Sequence, residues 1–123
     1  MKLTEYPQLI YEALTRLNRL ESEMTICKQK IAEVEVKLDA AIANDSTLKN
    51  DQQRKGKRSI ALLSDSKYLK LTGNFLDLTD EITEAKADLE LLRNQFSVVK
   101  LQCRLEIANK LAGLEPSDLV GFV

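Results

Sequence analysis

Apolar residues recur along this chain at alternating steps of three and four. From Ile10 the positions are Ile10, Ala13, Leu17, Leu20, Met24, Cys27, Ile31, Val34, Leu38 and Ala41. From Tyr68 they are Tyr68, Leu71, Phe75, Leu78, Ile82, Ala85, Leu89, Leu92, Phe96, Val99 and Cys103. A 3.5-residue repeat sustained over more than four heptads keeps one helix face turned to a partner helix. The pattern predicts two long helices, about 7–63 and 66–112, the first possibly broken near 44–47, with a tail over 113–123. Thr4 is a candidate cap, Pro7 falls in a first turn where its missing N–H costs little, and Gly113 and Pro116 close the last helix.

The expected fold class is all-α: a long antiparallel helical hairpin, a coiled coil, assembling into a dimeric bundle. The heptad phases allow turns centred near residue 61, 65 or 68, and only 65 lands on the turn-forming Ser64-Asp65-Ser66. That register places Ile31 opposite Val99, Val34 opposite Phe96, Leu38 opposite Leu92, Ala41 opposite Leu89 and Leu48 opposite Ile82. It also sets Cys27 against Cys103, either as a disulfide or as two small apolar residues in a reduced core.

The first seam turns polar after Asn44, where the same phase meets Asp45, Gln52, Lys55 and Ser59. Two explanations stand. A helix break or phase slip after Asn44 rotates Leu48, Gly56, Ile60 and Leu63 inward, with Gly56 making room for Phe75. Otherwise the stripe Tyr68, Leu71, Phe75 and Leu78 is left for another chain. A helix over 8–63 would be roughly 84 Å long, and two such helices enclose little core. Leu91, Val98, Leu101 and Leu105 lie outside the second seam and suggest a second buried face; Leu14, Ile26, Val36 and Ile42 do the same for the first helix. Such stripes mark association. The expectation is a homodimer, or binding to another protein, through the end remote from the turn, with Tyr68, Leu71, Phe75, Leu78, Leu91, Val98 and Leu105 as candidate interface residues.

Composition agrees. Of 123 residues 44% are apolar, 30% charged and 5% aromatic, and Gly and Pro are few, which suits long helices better than a sandwich of short strands. No run approaches the roughly 18 apolar residues of a membrane span. Met1 to Pro7 lacks the apolar core of a signal peptide. No membrane partner and a cytoplasmic location are expected.

The search for chemistry finds little. Histidine is absent, which removes the commonest general base and metal ligand. Both cysteines sit in the seams. Gly56-Lys57-Arg58-Ser59 lacks the upstream glycine and strand of a phosphate-binding loop. Asp77, Asp80, Glu81, Glu84 and Asp88 offer one Glu-x-x-Glu spacing, as gathered around magnesium in helical nucleotide hydrolases, but they occupy outward heptad positions and read as a solvated face. No enzyme activity, cofactor or metal is expected, a metal-dependent hydrolase being the remote alternative.

Charge is uneven. Residues 49–70 hold Lys49, Arg54, Lys55, Lys57, Arg58, Lys67 and Lys70 against Asp51 and Asp65, a surplus of +5 in a chain of net −1. Arg54, Lys57 and Arg58 share one helical face, pointing away from the seam. Lys49, Arg54, Lys55, Lys57 and Arg58 are therefore candidate phosphate contacts. No aromatic platform accompanies them, so nucleic-acid binding there would be weak and sequence-independent. The alternatives are an ordinary solubilising face or contacts with acidic protein. The apolar tail Leu119-Val120-Gly121-Phe122-Val123 can dock on its own bundle or serve as a peptide ligand.

The two seams and the polar link Leu48-Lys49-Asn50-Asp51-Gln52-Gln53-Arg54-Lys55 resemble the plan of small coiled-coil hairpin proteins of bacteria and their phages. The resemblance is architectural and carries over no site. Prefoldin subunits are hairpins of similar length, but they place β-hairpins between their helices, and residues 44–66 do not read as strands.

Overall fold

The computed structural model describes residues 2–113, and among these every regular element is helical. A 3₁₀ turn over Leu3–Glu5 leads into α1 (Tyr6–Ala43), followed by α2 (Asp51–Ser64) and α3 (Ser66–Ala112). Thr4 lies inside the 3₁₀ turn instead of capping α1; Glu5 Oε2 accepts from the Lys2 backbone N–H at 3.2 Å. Pro7 takes the second position of α1, where helices tolerate it. At the other end the Gly113 N–H donates to the Asn109 carbonyl. Pro116 and the apolar tail lie outside the described residues.

The seams are the least exposed faces of α1 and α3. Every seam position except Ala41 is buried or half-buried, with Leu17, Leu20, Cys27, Val34, Ala85 and Leu89 the most enclosed. The chain falls into two compact units, one of residues up to Thr15 with those from Lys86 on, the other of Arg16–Ala85.

In the second unit the chain reverses at residues 44–50, not at 64–66. Polar side chains bind this link internally. Asp45 Oδ1 accepts from the Thr47 backbone N–H at 2.9 Å and from its hydroxyl at 2.6 Å. Asn50 caps α2, accepting from the Gln53 N–H at 2.8 Å, while Gln53 Oε1 accepts from the Lys49 N–H at 2.8 Å. Ile42 is buried beside the link and Leu48 half-buried. α2 then runs back along α1: Lys57 Nζ donates to Asp45 Oδ2, and Arg58 Nε donates to Asp39 Oδ1 at 2.7 Å.

Asp65 interrupts the helix without turning the chain. Its ψ of 111° leaves the helical region. Yet its N–H donates to the Leu62 carbonyl, its own carbonyl accepts from Leu69, and its carboxylate caps α3 by accepting from the Tyr68 N–H at 2.9 Å. Asp65 and Lys67 border a groove of about 350 Å³ with Val34, Leu38 and Ala41. Farther along, the Cys27 thiol donates to the Leu71 carbonyl at 3.3 Å. As the chain advances from 58 to 71, its neighbour on α1 falls from 39 to 27. Within this unit α2 and α3 therefore follow one another in the same sense along α1.

Several expectations are corrected by this. The break allowed near 44–47 is present, between α1 and α2, but it reverses the chain, which the sequence reading had placed at 64–66. Cys27 meets Leu71 instead of Cys103, and both cysteines are free thiols. The helix does break after Asn44, and Leu48 is half-buried, but Leu62 is the buried residue of α2, while Ile60 and Leu63 are 69% and 71% exposed. A Cβ built on Gly56 would meet nothing within 4 Å, so Gly56 makes no room for Phe75.

In the first unit Tyr6, only 5% exposed, stacks on Phe96 with ring centroids 5.5 Å apart. Lys100 Nζ lies 4.4 Å from the centre of the same ring, so Phe96 carries both a stacking and a cation–π contact. Phe96 was expected opposite Val34, and Tyr6 lies four heptads before Val34. The heptad phase is kept while the register differs.

Candidate interaction surfaces

The basic segment is positioned by α2 and the start of α3. Three of its seven cations are engaged by acids of the same unit. Arg54 pairs with Asp51 at 3.1 Å, Lys57 with Asp45, and Arg58 with Asp39 at 2.7 Å. Lys57 and Arg58 thus reach back toward α1 and its link rather than away from it. The Lys57 hydrogen bond, followed by the two from Thr47, holds the Asp45 carboxyl well below the usual carboxylate range. Asp39 raises the Arg58 pKa above its ordinary value by hydrogen bonding and charge. Among the described residues the side chains of Lys49, Lys55, Lys67 and Lys70 make no ion pair. The Lys57–Asp45 and Arg58–Asp39 pairs span 12 and 19 residues, so they exist only because the chain reverses at 44–50.

The apolar candidates separate into two groups. Tyr68, Leu71, Phe75 and Leu78 are half-buried seam residues. Leu91, Val98 and Leu105 are 56%, 54% and 55% exposed, on the opposite side of α3 from the seam. Leu101, expected with them to be buried, is 56% exposed. On α1, Leu14 is half-buried and Ile42 buried, whereas Ile26 and Val36 are exposed. Val36 borders a shallow groove of about 450 Å³ with Gln29, Ala32, Glu33 and Lys37. In the first unit a groove of about 300 Å³ lies between Tyr6 and the α3 residues Asn94, Gln95, Val98 and Val99. Ile60 and Leu63 on α2, which one of the two alternatives turned inward, are exposed, as are Leu69 and Leu76 on α3, which lie outside the seam.

Asp77, Asp80, Glu81, Glu84 and Asp88 are all exposed. Among the described residues no three His, Cys, Asp or Glu side chains converge as metal ligands would. No described helix is long and apolar enough to cross a membrane. Comparison with known proteins finds no matching family model, no matching curated protein and no matching solved structure.

Proposed function

We propose that this chain is a non-enzymatic interaction protein that works by self-association of its coiled-coil helices. One observation carries the reading. Among the described residues nine apolar side chains are buried, while thirteen large apolar side chains are exposed. A chain that burying its own seams leaves this apolar is completed by a partner surface. The helices supply rigid amphipathic faces, and nothing in the side-chain chemistry asks for a reacting substrate. Sedimentation equilibrium from about 5 to 200 µM tests it. A mass above the 13.9 kDa of one chain is expected throughout, and a monomer at the highest concentration would sink it.

A second reading is supported by the cations left unpaired at Lys49, Lys55, Lys67 and Lys70. A sequence-independent phosphate contact would use them with Arg54, Lys57 and Arg58 at the cost of the ion pairs to Asp51, Asp45 and Asp39. Fluorescence anisotropy with labelled DNA decides between the two. Engaging six or more phosphates weakens binding by roughly a thousandfold between 50 and 200 mM salt. Binding of that kind, lost on Arg54→Glu with Arg58→Glu, would favour this reading; no binding at the lowest salt leaves the protein-interaction reading alone.

A further inference from the structure

α3 carries a second heptad stripe. Stepping alternately by four and three from Ala87 meets Leu91, Asn94, Val98, Leu101 and Leu105 and ends at Ala112, and every position of it is exposed. By helical spacing its centre lies opposite the seam residues Leu89, Phe96 and Val99, while Asn94 and Val98 also border the groove beside Tyr6. The spacing is the 3.5-residue repeat, so the surface it fits is another helix running alongside. Its length, more than three heptads, is what a two-stranded pairing requires. Phe96 packs on Tyr6, which leaves α3 beyond residue 96 running on for about 24 Å at 1.5 Å per residue. On this stretch Val99 and Cys103 are half-buried, while Leu101 and Leu105 are exposed.

We infer that the stripe is the seam of a parallel, in-register homodimer in which α3 packs against α3 of a second copy. The inference rests on the self-association reading and assigns its surface. Asn94 decides the occupant and its direction. It is the single polar residue of the stripe, and its amide both donates and accepts, so a second Asn94 satisfies it. Only a parallel in-register pair sets Asn94 against itself. In an antiparallel pair each layer joins the two kinds of seam position, so Asn94 meets Leu91, Val98, Leu105 or Ala112 and its amide is buried without a partner, at a cost of about 1–3 kcal/mol. The flanks agree: parallel pairing brings Glu90 to Gln95, Ser97 to Gln102 and Arg104 to Asn109 of the other copy, and no like charges face each other.

The test uses the full chain and light scattering after size exclusion. The wild type is expected at twice the 13.9 kDa chain mass. Leu101→Glu with Leu105→Glu is expected to give monomer with its helical circular dichroism largely kept, since both side chains are exposed. In a Cys27→Ala, Cys103→Ala background, Ala108→Cys is expected to oxidise to a cross-linked dimer. Position 108 meets its own copy in the parallel pair, but in the fully overlapped antiparallel pair the two copies of 108 are about 25 Å apart. A wild-type monomer overturns both this inference and the self-association reading. An oligomer that survives the double glutamate variant overturns this seam and leaves self-association standing. A dimer lost in that variant but not cross-linked through position 108 overturns the parallel register.

Discussion

Two polar interruptions divide the helices of the Arg16–Ala85 unit, and they share their chemistry but not their effect. Residues 44–50 and Asp65 both bring aspartate and serine to the chain, and both set a cap on the following helix. The first reverses the chain; the second does not. The number of residues outside the helix makes the difference. Packed helix axes lie 8–10 Å apart, and a residue advances the chain by at most about 3.8 Å. Seven residues can cross that gap and return, while one cannot. Around Asp65 the hydrogen bonds from its N–H to Leu62 and from Leu69 to its carbonyl nearly continue the helical ladder. Cap chemistry marks where a helix begins, and only the length of the break says whether the chain turns.

The largest expected effect is a distance. Spin labels at Lys37→Cys and Lys67→Cys, in a Cys27→Ala, Cys103→Ala background, should lie within about 20 Å, helix axes being about 10 Å apart and the label arms adding the rest. Both positions border one groove. Reversal at Asp65 would instead separate them by about 39 Å along the helix, and that distance would refute the reversal at 44–50. Next in size is the facing of α2. Leu62→Ala should cost about 2–5 kcal/mol in chemical denaturation, because Leu62 is 8% exposed. Leu63→Ala should stay within about 0.5 kcal/mol, since Leu63 is 71% exposed; equal losses would mean that α2 does not pack as described. The caps follow. Asn50→Ala should cost about 1 kcal/mol. Asp65→Ala loses a cap but lets α2 and α3 fuse into one helix, so its cost should be smaller than that of Asn50→Ala in the same assay.

The seams could be seen in the sequence because a repeat held over many heptads has few explanations besides a helix face. The register could not, because heptad phase recurs every seven residues. The pairing of Tyr6 with Phe96 has the same phase as the expected pairing of Val34 with Phe96, four heptads away. What would have separated them is the polar density of the link: Asn44-Asp45-Ser46-Thr47 followed by Asn50-x-x-Gln53, a cap with its reciprocal partner, is a longer turn signal than Ser64-Asp65-Ser66. The excess apolar residues of α3 were visible as well, but not whether the chain covers them itself. That depends on the register, which heptad phase leaves open. The ion pairs of the basic segment were hidden for the same reason, since Asp39 and Arg58 meet only once the chain has turned between them.

The smallest effect concerns the link alone. Lys57, with help from Thr47, holds the Asp45 carboxyl below its ordinary range, so folding lowers the pKa of this group. The unfolded chain then binds the proton first as pH falls, near the ordinary aspartate value of about 3.9. The stabilisation is fully present above that value and is lost as pH descends toward the folded pKa. Lys57→Met removes the largest cause of the shift without breaking the helix. In urea titrations the wild type should therefore exceed the variant at pH 6, and the gap should close as pH falls below about 4. The other carboxylates titrate in both proteins, so the difference between the two curves isolates Asp45. Parallel curves down to pH 3 would mean that the contact between α2 and the link contributes nothing in solution. The reversal would then rest on its remaining contacts, the Asn50 cap, the Arg58–Asp39 pair and the apolar Leu48 and Ile42.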